Sequence, residues 1–306
     1  MTADSAVESG RDTPRPDGGR RSVFQQLVGQ DHVDLVLRLT LLLLLVFSSQ
    51  AWSVYMFTVG FCVLAMIHLP LLRNAAFWML LGAFQLGHVL VFELPTANNS
   101  AYVIAYWCLA VGVSLLFPDV RKALALEARL LVGLIFLFAA VWKAATPEYM
   151  EGGTFYFMLL ADERFSEELL PFESVYDPLM RSHADMLERM SRLEPVITVE
   201  RVPAVYWIAQ AMTWWTICIE GVIAVLFLWP DGPRIMRMRN LVFLLFIVTT
   251  YPPTKLTVFA WMMTIFGLAQ CPPEYKKTRF CYLAVFVGVF LTLGGAMERL
   301  IFDLFI

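Results

Sequence analysis

Two ionisable residues stand where such side chains are costly. Lys143 closes the apolar run of "FAAVWKAATPEYMEGGTFYF", residues 138–157, and Glu220 lies inside "TWWTICIEGVIAVLF" with at least a turn of apolar residues on either side. A charge at the centre of a bilayer costs about 2.5 kcal/mol or more, so ionisable residues in apolar segments face a bundle interior or a cavity and mark a site by default. A buried carboxylate needs a cation or a hydrogen-bond donor, or it is held protonated. For Glu220 two readings stay open: a structural pair with Arg38 or Lys255, and a role in handling a proton or a substrate. For Lys143 the readings are a cavity-facing ammonium and an anchor that snorkels to water. Glu148 and Glu151 follow within a short turn as counter-charge, and Gly152-Gly153 lets the chain fold back closely over the helix end.

The remaining polar residues of the apolar runs have plainer readings. Arg38 is four residues from Asp34, which suggests a local pair. His88, in "QLGHVLVFE" with Gln85 and Glu93, has no partner histidine nearby and reads as a hydrogen-bonded packing residue or a third member of the site. Glu298 and Arg299 are adjacent and suit an interface. The five cysteines, Cys62, Cys108, Cys218, Cys271 and Cys281, show no CxxC pair. They read as small packing residues, so neither a metal site nor a disulfide framework is expected.

The elements that must position these residues are membrane helices. Hydrophobic residues make up 59% of the 306, charged residues only 16%, and the mean hydropathy is +0.65. Soluble domains carry about 25% charged residues, so the composition excludes an ordinary soluble enzyme and predicts an all-α, polytopic transmembrane bundle. The lipid bilayer is its expected partner. Nothing points to a nucleic acid. Residues 1–29, rich in Asp, Ser, Pro, Gly and Arg, are expected to be a disordered cytoplasmic tail and not a signal peptide; the transmembrane domain takes 30–306.

Apolar runs predict helices at about 34–51, 54–72, 76–94, 102–117, 125–146, 204–229 and 279–302, most near the ~20 residues a crossing needs. Residues 240–271 are one long apolar stretch broken by "TTYPPTK". Basic loops mark the cytoplasmic side. Arg234, Arg237 and Arg239 precede this stretch and Lys276, Lys277 and Arg279 follow it, so an even number of crossings must separate them. The stretch is therefore predicted to be a Pro-Pro-linked hairpin of two short helices. The total becomes about nine segments in the cell membrane, N-terminus cytoplasmic and C-terminus extracytoplasmic. The loop 147–203 then lies outside; it holds twelve acidic residues, five arginines and no lysine. Within it Val175, Leu179, Met180, Met186, Leu187, Met190 and Leu193 recur at helical spacing, which predicts an amphipathic helix on the outer surface or capping the bundle.

Several stretches resemble the HTTM family, which is related to the membrane region of vitamin K-dependent gamma-carboxylase. "DHVDLVLRLTLLLLLVF" is similar to the family's opening, and "VWKAATPEYMEGGTFYFML" to the segment in which a lysine ends a helix ahead of a Glu-Gly turn. "IEGVIAVLFLWPDGPR" and "TVFAWMMTIFGLAQCPPE" resemble its later helices, in matching order. The resemblance implies that Lys143 is a candidate base, since a lysine partly removed from water can take a proton near neutral pH. It further implies that Glu151, Gly152 and Gly153 shape the outer mouth of a cavity lined by Lys143, Glu220, His88 and Arg38, and that a quinone- or lipid-like molecule binds there or is acted on. "PDVRKALALEARLL" and "TTYPPTK" lack the histidines that the carboxylase pattern carries, and the chain ends at Ile306 without the large luminal region, so glutamate carboxylation itself is not expected. A reading of another class makes the chain a non-enzymatic, immunity-like membrane protein that docks partners through loop 147–203.

Overall fold

The structure, a computed structural model, describes residues 31–47, 52–93, 99–161, 173–192, 202–254 and 256–292. Every regular element among them is a helix. The proposed tail 1–29, Lys255 and the Glu298-Arg299 pair lie outside the described residues.

Helix α1 (His32–Phe47) begins where the Asp31 carboxylate accepts the Val33 N–H at 3.1 Å. Arg73 bridges Asp31 and Asp34, at 2.7 Å to the latter, so Asp34 pairs with Arg73 and not with Arg38 as its spacing suggested. Helix α2 (Trp52–Ile67) stops before Pro70, which opens the four-residue α3 (Leu69–Leu72). The run predicted at 54–72 is thus broken near His68 by a proline that favours a helix start. Asn74 caps α4 (Ala75–His88) through the Phe77 N–H at 3.1 Å, and a π-helical turn (Val89–Glu93) extends it. α5 (Asn99–Ser114) packs along α4. α6 (Val120–Ala145) starts at the Asp119 cap and ends at an extended Thr146, because Pro147 disfavours helical backbone before it.

The predicted hairpin is present as two helices, α11 (Pro233–Thr254) and α12 (Thr257–Gln270), with the joint just after Pro252-Pro253. Gln270 donates to the Asn240 side chain at 2.7 Å, which ties the end of α12 back to the start of α11. Every residue of α12 from Ala260 to Gln270 is buried. A helix apolar all round belongs inside a bundle, and α12 does: α1, α5, α6, α11 and α13 (Lys276–Thr292) surround it. Trp261 stacks on Phe286 at 4.5 Å, Trp107 meets Phe266 at 4.7 Å, and the Trp107 indole donates to Thr40 at 3.0 Å, joining α5 to α1.

Among the described residues three helices are long and apolar enough to cross a membrane: Ala75–Phe92, α6, and α10 (Pro203–Leu228). α1, α2, α5 and α12 are shorter, 14 to 16 residues each, so length and composition together support three crossings among the described residues, and the nine expected from the apolar runs are not confirmed. The outward faces of the helices are apolar. Leu80, Phe138, Trp142, Trp214 and Val225 are all exposed, a surface that suits lipid.

The acidic stretch folds over one end of the bundle. α7 (Pro147–Met150), α8 (Gly153–Ala161) and α9 (Glu173–Ser191) pack there with the start of α10 around Tyr149, Phe155, Leu159, Met186 and Val205. Of the two placements expected for the amphipathic helix, α9 takes the capping one: Met186 is buried and Met180 packs beside it. The side chains of Val175, Leu179, Leu187, Met190 and Leu193 are outside the described residues.

Candidate functional site

Helices α6 and α10 pack along one another, and this brings together the two residues singled out first. Lys143, in the last turn of α6, donates through Nζ to Glu220 Oε1 on α10. Their side chains are 12% and 8% exposed, so the pair is removed from water. Glu220 therefore pairs with Lys143. Arg38, one of the partners expected for it, is exposed on α1. Only one carboxylate oxygen is engaged; Glu220 Oε2 is buried with no hydrogen-bond partner. Buried oxygens of native proteins are nearly always satisfied, and an exception calls for a ligand, a water or a function.

The chain after Lys143 walls the pair off. Pro147 starts α7, and Gly152 reverses the backbone at φ +74°, a conformation glycine adopts without strain. A Cβ on Gly152 would meet the Gln210 amide of α10 at 3.2 Å, so the turn lies close against that helix. Gly153 is similarly tight against the Glu148 carbonyl, at 3.1 Å. The turn puts the Tyr149 ring 5.5 Å from Lys143 Nζ, in cation–π range. Tyr149 in turn stands edge-on to Trp142 and Phe155, at 5.6 and 5.7 Å. The buried Tyr251 of α11 lies within electrostatic reach of Glu220. Glu148 and Glu151 are exposed and make no ion pair with Lys143; its counter-charge comes from Glu220 instead. Tyr149 and Tyr251 stand near the pair and were not singled out by residue chemistry alone; Gln210, a polar residue of an apolar run, packs instead against Gly152 and donates to Tyr206 at 3.2 Å.

The other named residues stand apart. His88 ends α4, half-buried, with its ring 5.3 Å from Phe92. Gln85 is buried and donates to Thr58 at 2.7 Å, holding α4 to α2. His88 is on α4 and Arg38 on α1, and among the described residues no hydrogen bond or ion pair joins either to Lys143 or Glu220, so the expected grouping is not brought together.

A second buried polar group occupies the opposite ends of α6 and α10. Arg239, 1% exposed, donates to the Leu226 carbonyl at 3.0 Å, to Asp231 at 3.0 Å and to the Trp229 carbonyl at 3.3 Å. Its guanidinium also lies 5.4 Å from the Phe227 ring. Asn240 accepts from both Gln270 and Tyr282, the latter at 2.9 Å. Arg129 reaches Asp231 at 2.5 Å. At the α6 N-terminus Asp119 pairs with Lys122 at 2.9 Å, and this bond holds the Asp119 carboxyl below the usual carboxylate range.

Among the described residues no group of His, Cys, Asp or Glu is placed to hold a metal ion. All five cysteines are free thiols. No family model, no curated protein and no solved structure matches the chain.

Proposed function

We propose that the chain is a multi-pass protein of the cell membrane, of the HTTM type, whose working site is the Lys143–Glu220 pair and whose ligand is a small lipophilic molecule, quinone- or lipid-like. The observation that carries this reading is the half-satisfied pair: a lysine and a glutamate out of water, with Glu220 Oε2 left without a partner. A pair kept for stability alone gains from complete hydrogen bonding. One with a spare oxygen offers a hydroxyl-bearing ligand an acceptor beside an amine that can exchange a proton. In this reading the Lys143 ammonium passes its proton to Glu220, the neutral amine then takes the proton of the ligand's hydroxyl as the base, and the Tyr149–Trp142–Phe155 edge supplies an apolar, aromatic wall. The N-terminus is cytoplasmic on the strength of Arg11, Arg15, Arg20 and Arg21, and the basic loops at 234–239 and 276–279 make the C-terminus extracytoplasmic. Docking of a partner through 147–203 finds less support, because Met180 and Met186 of α9 are engaged by the chain itself.

The test is the organic extract of the protein purified in mild detergent, analysed by mass spectrometry for quinones and lipids. A lipophilic molecule enriched with the wild-type protein and depleted in Lys143→Met supports the reading. Identical extracts from the two proteins, both folded, overturn it.

A further inference from the structure

The basic end of the bundle holds a cavity of about 290 Å³ between the start of α6, the end of α12 and the first turn of α1. That is near the lower end of ligand pockets, roughly 300 Å³ and upward, and suits a headgroup better than a whole lipid. Its wall carries Arg121, Lys122, Arg129 and Arg239 against a single carboxylate, Asp231. Asp231 is already shared by Arg129 and Arg239, and Lys122 is matched by Asp119. Arg121 makes no ion pair among the described residues. Nor does Arg279, which is 6% exposed, has an unpartnered Nε, and lies within charge–charge reach of both Arg121 and His32. The cavity and its surroundings therefore hold two cations without counter-ions.

A second observation is independent of the charge count. His32 lines the cavity, is 6% exposed, and neither ring nitrogen meets hydrogen-bond geometry, although the ring lies beside the Ala269 backbone. Gln270, also in the wall, has its amide nitrogen engaged by Asn240 and the Gly267 carbonyl while Oε1 is buried and unpartnered. Buried donors and acceptors left open around one cavity are a binding site's signature. Two unmatched guanidinium groups select an anion, and their planar donor forks fit phosphate oxygens. The open Gln270 oxygen suits a hydroxyl beside that phosphate.

We propose that this cavity binds a phosphate-bearing anion, held by Arg121 in its wall and seated on His32, with the unmatched charge of Arg279 close behind. The site is separate from the Lys143–Glu220 pair and does not depend on its function. Phosphate reaches it either as an anionic phospholipid headgroup or as a soluble phosphate.

The experiment is native mass spectrometry of the full chain, delipidated in detergent and titrated with phosphatidylglycerol, phosphatidylcholine or inorganic phosphate. Phosphatidylglycerol is expected to remain bound at collision energies that strip phosphatidylcholine, with Arg121→Gln and His32→Gln each lowering its occupancy at least fivefold. Arg121 is exposed, so its variant keeps the test decisive even where a change at the buried Arg279 prevents folding. If inorganic phosphate displaces phosphatidylglycerol, the shared phosphate group is the ligand; if only the lipid binds, the headgroup in its membrane setting is. Equal retention of the two lipids without phosphate binding, or unchanged occupancy in both variants, overturns the proposal.

Discussion

A buried charge sits near each end of the α6–α10 pair, Lys143 of α6 at one and Arg239 of α11 at the other, and the two ends treat it differently. At the basic end Arg239 has every side-chain nitrogen engaged, by two backbone carbonyls and Asp231, with an aromatic ring against its face. At the acidic end Lys143 meets one oxygen of Glu220 and the other oxygen has no partner. The first is a staple: it ties the α10–α11 turn, with each guanidinium nitrogen of Arg239 already engaged by the protein. The second is also removed from water but incomplete, and incompleteness in a dry site is expensive unless something completes it. Satisfaction of hydrogen bonds, and not burial or charge, separates the structural cluster from the functional candidate.

Glu220→Gln sharpens the contrast most, because it strands the Lys143 ammonium away from water. It is expected to destabilise the protein by about 3–5 kcal/mol, read as a fall in melting temperature in detergent; an unchanged value would remove the ion pair as a stabilising element. Arg239→Met breaks the staple. It uncovers the Leu226 and Trp229 carbonyls and should cost about 3 kcal/mol, while the molecule that Lys143→Met loses stays bound as in wild type. If Arg239→Met depletes the lipophile as Lys143→Met does, the division between the two ends collapses. Gly267→Ala probes the staple's neighbour: a Cβ there would lie 2.2 Å from the Tyr282 ring, whose hydroxyl donates to Asn240. Overpacking of this kind costs about 1–3 kcal/mol, and a variant as stable as wild type would mean that Tyr282 moves freely. The smallest effect is expected of Asn74→Ala, about 1 kcal/mol for the lost cap of α4, measurable by the same melts and without influence on either end.

Much of this arrangement was legible in the residues, for reasons that are themselves physical. Lys143 and Glu220 stood out because ionisable groups in apolar runs are rare. Their pairing did not, because they are 77 positions apart and helix–helix register is not written in local spacing. The break between α11 and α12 followed from loop charge and a Pro-Pro pair, whereas the Asn240–Gln270 clasp required the two helices to be in place. Arg234, Arg237 and Arg239 look alike in "PRIMRMR", yet two are exposed and one is buried. Helical phase against Phe227 decides which. The nine crossings expected from hydropathy are not confirmed: three helices among the described residues meet the criterion, and α12 is apolar enough for lipid but short, with protein around it. The grouping of His88 and Arg38 with the pair failed because polarity in an apolar run says that a residue needs a partner, not which one.

The most direct measurement is the doubly neutral variant Lys143→Met/Glu220→Gln, assayed for melting temperature and for bound lipophile on the same preparation. With neither charge stranded, stability should return to within about 1 kcal/mol of wild type, while the copurifying lipophilic molecule stays lost. A double variant that melts like wild type and still carries the molecule would show that the pair is a dispensable clamp and that the ligand binds elsewhere.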